Sequence, residues 1–240
     1  MTAVFIHGVP ETFRIWDGIR AQLPNARTIA LALPGFDAPF PNGWNSTKEE
    51  YAQWLIAEIE AIGEPVDVVG HDWGCLLTQR IVSTRPDLFR SWVCGGGPVD
   101  VEYTWHDTAQ AWQTPEVGEQ VMAMMTPELF AAALEGELGE HAEPMARHID
   151  ATMRDTILKL YRSAITVGAE WQPDVDAFGA KLPALVLWGR DDVYAPPAMG
   201  KRLAERVGAQ YQELECGHFW PVLQPERVAE LLTAFWASLA

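Results

Sequence analysis

The residues with the clearest capacity for chemistry stand in Gly70-His71-Asp72-Trp73-Gly74, a small-x-nucleophile-x-small pattern between an apolar run and a helix-forming segment. Flanking glycines permit a sharp turn that thrusts the central side chain outward, and the helix N-terminus behind it favours negative charge there. The central residue is a carboxylate. Ionised at neutral pH, it can attack a saturated carbon without a base, which points to opening a strained or activated C–O or C–halogen bond. Downstream, Trp188-Gly189-Arg190-Asp191-Asp192 and Cys216-Gly217-His218-Phe219 supply an acid and then a histidine, each after a strand-like run. His218 suits the general base that activates water against an ester of Asp72, with Asp192 or Asp191 holding its tautomer. A plainer account makes Asp72 a helix N-cap and His218 a satisfied core histidine, but it leaves the paired glycines and the downstream order unexplained. His7 and His71 adjoin these groups and read as orienting backbone.

Such groups meet only if strand ends and loops gather at one rim of a sheet. Short apolar runs at 3–7, 28–33, 66–69, 91–94, 184–188 and 210–214 read as strands, separated by segments with helical spacing. Phe13, Trp16, Ile19 and Leu23 recur at that spacing until Pro24. Thr47-x-x-Glu50 is a capping box ahead of Tyr51, Trp54, Leu55, Ile59 and Ile62, and Pro225 opens a last helix. The alternation predicts an α/β fold, a mostly parallel sheet of about six strands with helices on both faces. Residues 98–182 break the alternation and read as helices only, at 115–125, 127–134 and 143–166. The chain therefore divides into a core of 1–97 and 183–240 and an inserted helical cap. Between Asp100 and Asp150 eleven acidic residues face one basic residue, Arg147, as expected of a solvated helical face.

Composition narrows the partners. With 48% hydrophobic and 21% charged residues the chain can bury an ordinary core. Seventeen Lys and Arg against 33 Asp and Glu leave a net charge of −16, a field that repels phosphate backbones and anionic lipids, so neither nucleic acid nor membrane is an expected partner. No run approaches the roughly 18 apolar residues of a membrane span. No basic residues precede the apolar start at Met1-Thr2-Ala3-Val4-Phe5-Ile6, and the expectation is a soluble, unexported, cytoplasmic protein. Cys75, Cys94 and Cys216 are odd in number and lack metal-motif spacing, so they read as buried thiols; no metal and no cofactor is expected. Eleven of the 240 residues are Trp, and such rings either fill a core or line an apolar pocket.

The order nucleophile, acid, histidine, with His7-Gly8-Val9-Pro10 directly after the first strand, resembles the α/β-hydrolase superfamily. His71-Asp72-Trp73-Gly74 resembles its aspartate-nucleophile branch, the soluble-type epoxide hydrolases and haloalkane dehalogenases. The resemblance covers almost the whole chain outside 98–182, and the insert falls where that family carries its cap. It implies a triad of Asp72, Asp192 and His218, and an oxyanion hole made by the backbone N–H groups of Val9 and Trp73. The family pattern places the acid three residues after the glycine, which favours Asp192 over Asp191. The family's other acid position, after the preceding strand, here holds Gly95-Gly96-Gly97, with Asp100 further on. The family's core begins with two further strands before the His-Gly loop, whereas here His7 follows at once, so residues 28–33 are expected at a sheet edge. An edge needs covering, and a second copy of the chain in a homodimer is one way to do it.

Two substrate classes follow from the resemblance. Epoxide hydrolases carry cap tyrosines that polarise the ring oxygen, and the insert has Tyr103 and Tyr161, although Tyr161 reads equally as a packed aromatic. A dehalogenase holds halide with N–H donors, for which Trp73 with Trp105, Trp112 or Trp171 are candidates. Val9 stands where many dehalogenases have a halide-binding Asn and epoxide hydrolases commonly have Phe, and a fluoroacetate-type enzyme would place Arg where Trp73 is. The expectation is an epoxide hydrolase acting on a small neutral apolar substrate with water, and a haloalkane dehalogenase is the alternative. A small-molecule-binding protein without turnover is the alternative of another class. Ester hydrolysis is disfavoured, because an aspartate attacking an ester yields an anhydride. Trp16, Trp54 and Trp236 are expected in the core, and Trp73, Trp105, Trp112 and Trp220 along the pocket.

Overall fold

The computed structural model describes residues 2–239; Met1, where the reading of the N-terminus began, and Ala240 lie outside the described residues. Six strands, β1 Thr2–Ile6, β2 Arg27–Leu31, β3 Val66–His71, β4 Phe89–Gly95, β5 Ala184–Gly189 and β6 Gln210–Leu214, form one parallel sheet in the order β2-β1-β3-β4-β5-β6. Every strand expected from the sequence is present, and β2 stands at an edge as anticipated. The chain runs from β1 outward to β2 and then returns past β1 to β3. That reversal opens a crevice beyond the carboxyl ends of β1 and β3, where open α/β sheets place their ligands.

The helices are α1 Asp17–Ala21, α2 Lys48–Glu60, α3 Trp73–Thr84, α4 Asp107–Gln113, α5 Val117–Met124, α6 Pro127–Leu138, α7 Ala142–Ala146, α8 Ala151–Arg162, α9 Val167–Phe178, α10 Pro197–Val207, α11 Trp220–Leu223 and α12 Pro225–Ala237. The strand pleat sorts side chains between two layers. Val4, Ile6, Val66 and Val68 pack with Tyr51, Leu55 and Ile59 of α2, Leu76 and Ile81 of α3, and Leu203 and Val207 of α10. Ala3, Phe5, Val69, Val93 and Leu187 turn the other way onto Trp16, Ile19 and the Val228, Leu232 and Phe235 stripe of α12. Thr47 and Glu50 form the expected reciprocal capping box of α2. Among the described residues no helix is long and apolar enough to cross a membrane.

Three helical readings are corrected. Residues 13–23 make a 3-10 turn, Phe13–Trp16, and the short α1 in place of one helix. The helix expected over 143–166 is two, α7 and α8, because the Asp150 carboxylate accepts the Met153 N–H at 2.7 Å and starts a new helix there. The apolar spacing that suggested continuity is still buried, from Ile149 through Met153, Ile157 and Leu160 to Ala164, since tertiary packing keeps the stripe while the backbone breaks. Helices α4 and α9 were not expected; α9 carries Pro173 in its interior, a residue that sequence rules take as a helix stop.

Around the reversal the backbones close up. A Cβ on Gly74 would stand 2.0 Å from the carbonyl oxygen of Ile6, so α3 can approach β1 only where that position has no side chain. His7 locks the loop after β1. Its Nδ1–H donates to the Gly8 carbonyl at 2.8 Å and its Nε2 accepts the Leu33 N–H at 3.1 Å, a pattern that needs the neutral ring. Burial lowers its pKa to about 4.

Two predictions follow from these contacts. Gly74→Ala should lower stability by about 1–3 kcal/mol through overpacking, read as a lower urea midpoint, and an unchanged midpoint would contradict the close approach. His7 has a folded pKa of about 4 against 6.5 for the free group, so between these values only the unfolded chain takes up the proton. Stability should therefore be complete above about pH 6.5 and fall as pH drops toward 4, with this group contributing at most about 1.4 kcal/mol per pH unit. His7→Gln should remove that part of the slope in unfolding measured across this range.

Candidate active site

Four strand ends deliver the expected residues to one rim: the loop after β1 brings Val9, β3 leads directly into Asp72, β5 leads to Asp192 and β6 to His218. Asp72 sits at φ 50° and ψ −117°, a region that costs a non-glycine residue about 1–3 kcal/mol and persists only when surroundings over-determine it. It occupies the N-cap position of α3, yet its side chain makes no capping bond. Its Oδ1 instead accepts the Val9 N–H at 2.7 Å, and its Oδ2 stands 3.6 Å from His218 Nε2. A Cβ on Gly8 would lie 2.3 Å from that Oδ1, so the loop reaches the carboxylate only with glycine there. Trp73 follows as the first residue of α3, where backbone N–H groups have no intrahelical acceptor.

Asp192, rather than Asp191, meets the histidine. Its Oδ2 lies 2.9 Å from His218 Nδ1, and its Oδ1 accepts the N–H groups of Tyr194 and Ala195 at 2.9 and 2.8 Å, whereas Asp191 is exposed. Asp100 serves elsewhere, paired with Arg202 and Arg206 at 3.1 Å each, which ties the exit of β4 to α10. Burial by itself would lower the pKa of His218, but the Asp192 and then the Asp72 carboxylates reverse this and hold it well above its ordinary value. Burial likewise raises Asp72, and the His218 hydrogen bond and charge outweigh it, leaving the carboxyl below its ordinary range. Two carboxylates thus flank the His218 ring and favour its protonated form.

A second layer was not read from the sequence. His71 Nε2 donates to the His218 carbonyl at 2.9 Å, and its Nδ1 faces Glu11 Oε1 at 2.8 Å. Glu11 Oε2 accepts the Gly8 N–H at 2.7 Å, so Glu11 braces the loop that presents Val9. The nearest sequence signal was a Glu two residues beyond Val9 in the His-Gly loop. Glu11, His71 and His218 also place ligand-type atoms within 4.8 Å of one another, but those of His71 are engaged by Glu11 and the His218 carbonyl.

A cavity of about 320 Å³ opens above these groups, lined by Val9, Asp72, His218, Trp112 and Tyr161 among the expected residues. Tyr103 and Trp105 stand one layer behind: the Tyr103 hydroxyl donates to the Tyr194 carbonyl at 2.9 Å, and Trp105 stacks on Trp73 with ring centres 6.0 Å apart. Trp73 is fully buried against Tyr161, Trp171 lies under Lys48 and Arg80, and Trp220 packs on Trp16 and His71 in the core. The rest of the wall comes from Met124, Met125, Leu129, Phe130 and Leu134, on and around α5 and α6. Tyr194 and His106 also line it. His106 Nδ1 accepts the Ala109 N–H as the cap of α4, so its proton resides on Nε2, and burial keeps the ring neutral by lowering its pKa. Burial, and then the charge of Asp72, raise Tyr161 well above the ordinary phenol value, keeping a proton on its hydroxyl.

Residues 3–231 match the model of the alpha/beta hydrolase family. The chain is 26% identical to lipase LipV of Mycobacterium tuberculosis, over 95% of this chain and 90% of that one. It is 33% identical to epoxide hydrolase 2 of Siraitia grosvenorii over a shorter stretch, 38% of this chain and 30% of the relative. The solved structure of haloalkane dehalogenase DbeA from Bradyrhizobium elkani matches with a TM-score of 0.79 at 23% identity, over 99% of this chain and 91% of that one. The parallel sheet with its reversal at β1 and β3, the turn at Asp72 and a match spanning nearly the whole chain make this protein a member of the alpha/beta hydrolase family.

Proposed function

We propose that this hydrolase opens epoxides to diols through a covalent ester on Asp72, acting on small neutral apolar substrates. The observation that carries the reading is the division of labour between the two oxygens of one carboxylate: Oδ1 is held by Val9 N–H while Oδ2 faces His218 and the cavity. In this reading residues 98–182 act as a cap over the core of 1–97 and 183–240, and Asp72, Asp192 and His218 form the triad.

In the first step Oδ2 attacks a ring carbon, the C–O bond breaks, and the ring oxygen takes its electron pair and a proton from the Tyr161 hydroxyl. The neutral His106 Nε2–H is a second donor on the same cavity. Esterification removes the charge of Asp72, one of the two carboxylates that favour protonated His218, so its pKa falls and its Nε2 proton passes to the Tyr161 phenolate, leaving the ring a competent base. In the second step His218 Nε2 takes a proton from water, hydroxide adds to the Asp72 carbonyl carbon, and the oxyanion on Oδ1 rests on the N–H groups of Val9 and Trp73. Collapse breaks the acyl C–O bond and the imidazolium gives its proton to the departing alkoxide, releasing the diol; the Asp72 carboxyl group so formed then passes its proton to His218 Nε2, restoring the carboxylate and the imidazolium.

Haloalkane dehalogenation is the second reading, favoured by one observation: the indole N–H of Trp112, on the cavity wall, has no acceptor among the described residues, as a donor awaiting a halide would be. Both readings share the ester, and a binder without turnover forms none. His218→Gln should accumulate an adduct of substrate mass on Asp72, and single turnover of the wild type in oxygen-18 water should leave label in Asp72. Label confined to the product would mean direct attack by water. Tyr161→Phe should slow ester formation from an epoxide by about 100-fold, the scale of one acid catalyst, and a panel yielding halide but no diol would select the second reading.

A further inference from the structure

Glu137 sits in the last turn of α6, among the acidic residues whose charge pattern suggested a solvated face. Its Oε1 instead accepts the backbone N–H of His218 at 2.8 Å, across 81 residues of sequence. The carboxylate fills the space where Gly217 would carry a side chain; a Cβ there would stand 2.3 Å from Oε1. The opposite polar group of the same residue, the His218 carbonyl, is held by His71 from the core. Both backbone handles of His218 are thus tied, one to the core and one to the helical segment. The same α6 lines the cavity with Leu129, Phe130 and Leu134, and Leu134 and Leu138 pack on Phe219, the neighbour of His218.

We propose that Glu137 is a positioning residue for ester hydrolysis: by anchoring the His218 N–H to α6, it makes the placement of the base depend on how that helix seats over a bound substrate. The proposal rests on the reading of Asp72 as the nucleophile. Ester formation needs only Asp72 and the leaving-group donors, so loss of this anchor acts on the second step. A displacement of about 1 Å at a reacting group can cost on the order of 100-fold in rate, so even partial loosening is measurable.

The test compares Glu137→Ala, which removes the acceptor, with Glu137→Gln, which keeps an acceptor oxygen without the charge, using an aryl epoxide as probe. In Glu137→Ala the ester on Asp72 should form at the wild-type rate and break down about tenfold or more slowly, with kcat and KM falling together. Glu137→Gln should stay within about threefold of wild type, consistent with a hydrogen bond rather than a charge. Wild-type ester breakdown in Glu137→Ala, or equal slowing of both steps, would overturn the proposal. A readout independent of turnover is the downfield NMR signal of the proton between His218 Nδ1 and Asp192. It should shift or broaden in Glu137→Ala and be retained in Glu137→Gln; an unchanged signal in both variants would overturn the proposal even if no ester forms. Absence of ester in the wild type and in His218→Gln, beside a signal that moves as expected, would reject the nucleophile reading and leave the anchor standing.

Discussion

A largely buried carboxylate, held at a backbone angle that non-glycine residues avoid, sets the terms for everything around it. Burial raises the Asp72 pKa, and the His218 hydrogen bond and charge, the nearby His71 and the Val9 N–H together outweigh it. The Val9 contact requires the loop after β1 to lie against the end of β3, which the strand order supplies by placing those two strands side by side. It also requires glycine at position 8, where any side chain would collide with the carboxylate. The strained turn survives because β1, β3 and α3 are packed too closely for it to relax.

Carboxylate and histidine side chains alternate beneath the cavity. Asp192 and Asp72 flank His218, and Glu11 faces His71, so each of these carboxylates has a histidine within 3.6 Å. Alternation keeps a cluster of five ionisable groups tolerable in a poorly solvated place, where removing one partner would leave an uncompensated charge. It also couples His218 to Asp72: each flanking carboxylate favours the protonated ring, and neutralising one of them weakens that preference. The two-step chemistry proposed for the site has its order built into this electrostatic coupling.

The helical segment between β4 and β5 serves as more than a cover. Its acidity follows mostly from solvated side chains, yet two of its carboxylates point inward. Asp100 pins the start of the segment to Arg202 and Arg206 of α10, and Glu137 holds the backbone of His218. The apolar lining supplied on and around α5 and α6 is Val121, Met124, Met125, Leu129, Ala133 and Leu134 with one aromatic, Phe130, and its methionines adapt to ligand shape more readily than stacked indoles would. The tryptophans near the site mostly stand behind this wall, where Trp73, Trp105 and Tyr161 pack on one another.

Apart from the edge position of β2, which came from the family resemblance, local pattern was enough to read the strands, the turn at Asp72 and the order of nucleophile, acid and histidine. These features depend on pleat periodicity, glycine geometry and chain order, all written in short stretches of sequence. The preference for Asp192 over Asp191 came from the family resemblance, and the structure turns the Asp192 carboxylate toward His218. Helices α4 and α9, the break before α8, the residues lining the cavity and the roles of Glu11 and Glu137 could not be read in the same way. Each depends on partners far apart in the chain, such as a glutamate on α6 meeting an amide 81 residues away. The sequence by itself determined which chemical groups this protein carries and the sheet rim that collects them; only the tertiary structure decided which of them touch, because side-chain contact depends on how separate elements pack, and no local periodicity encodes that.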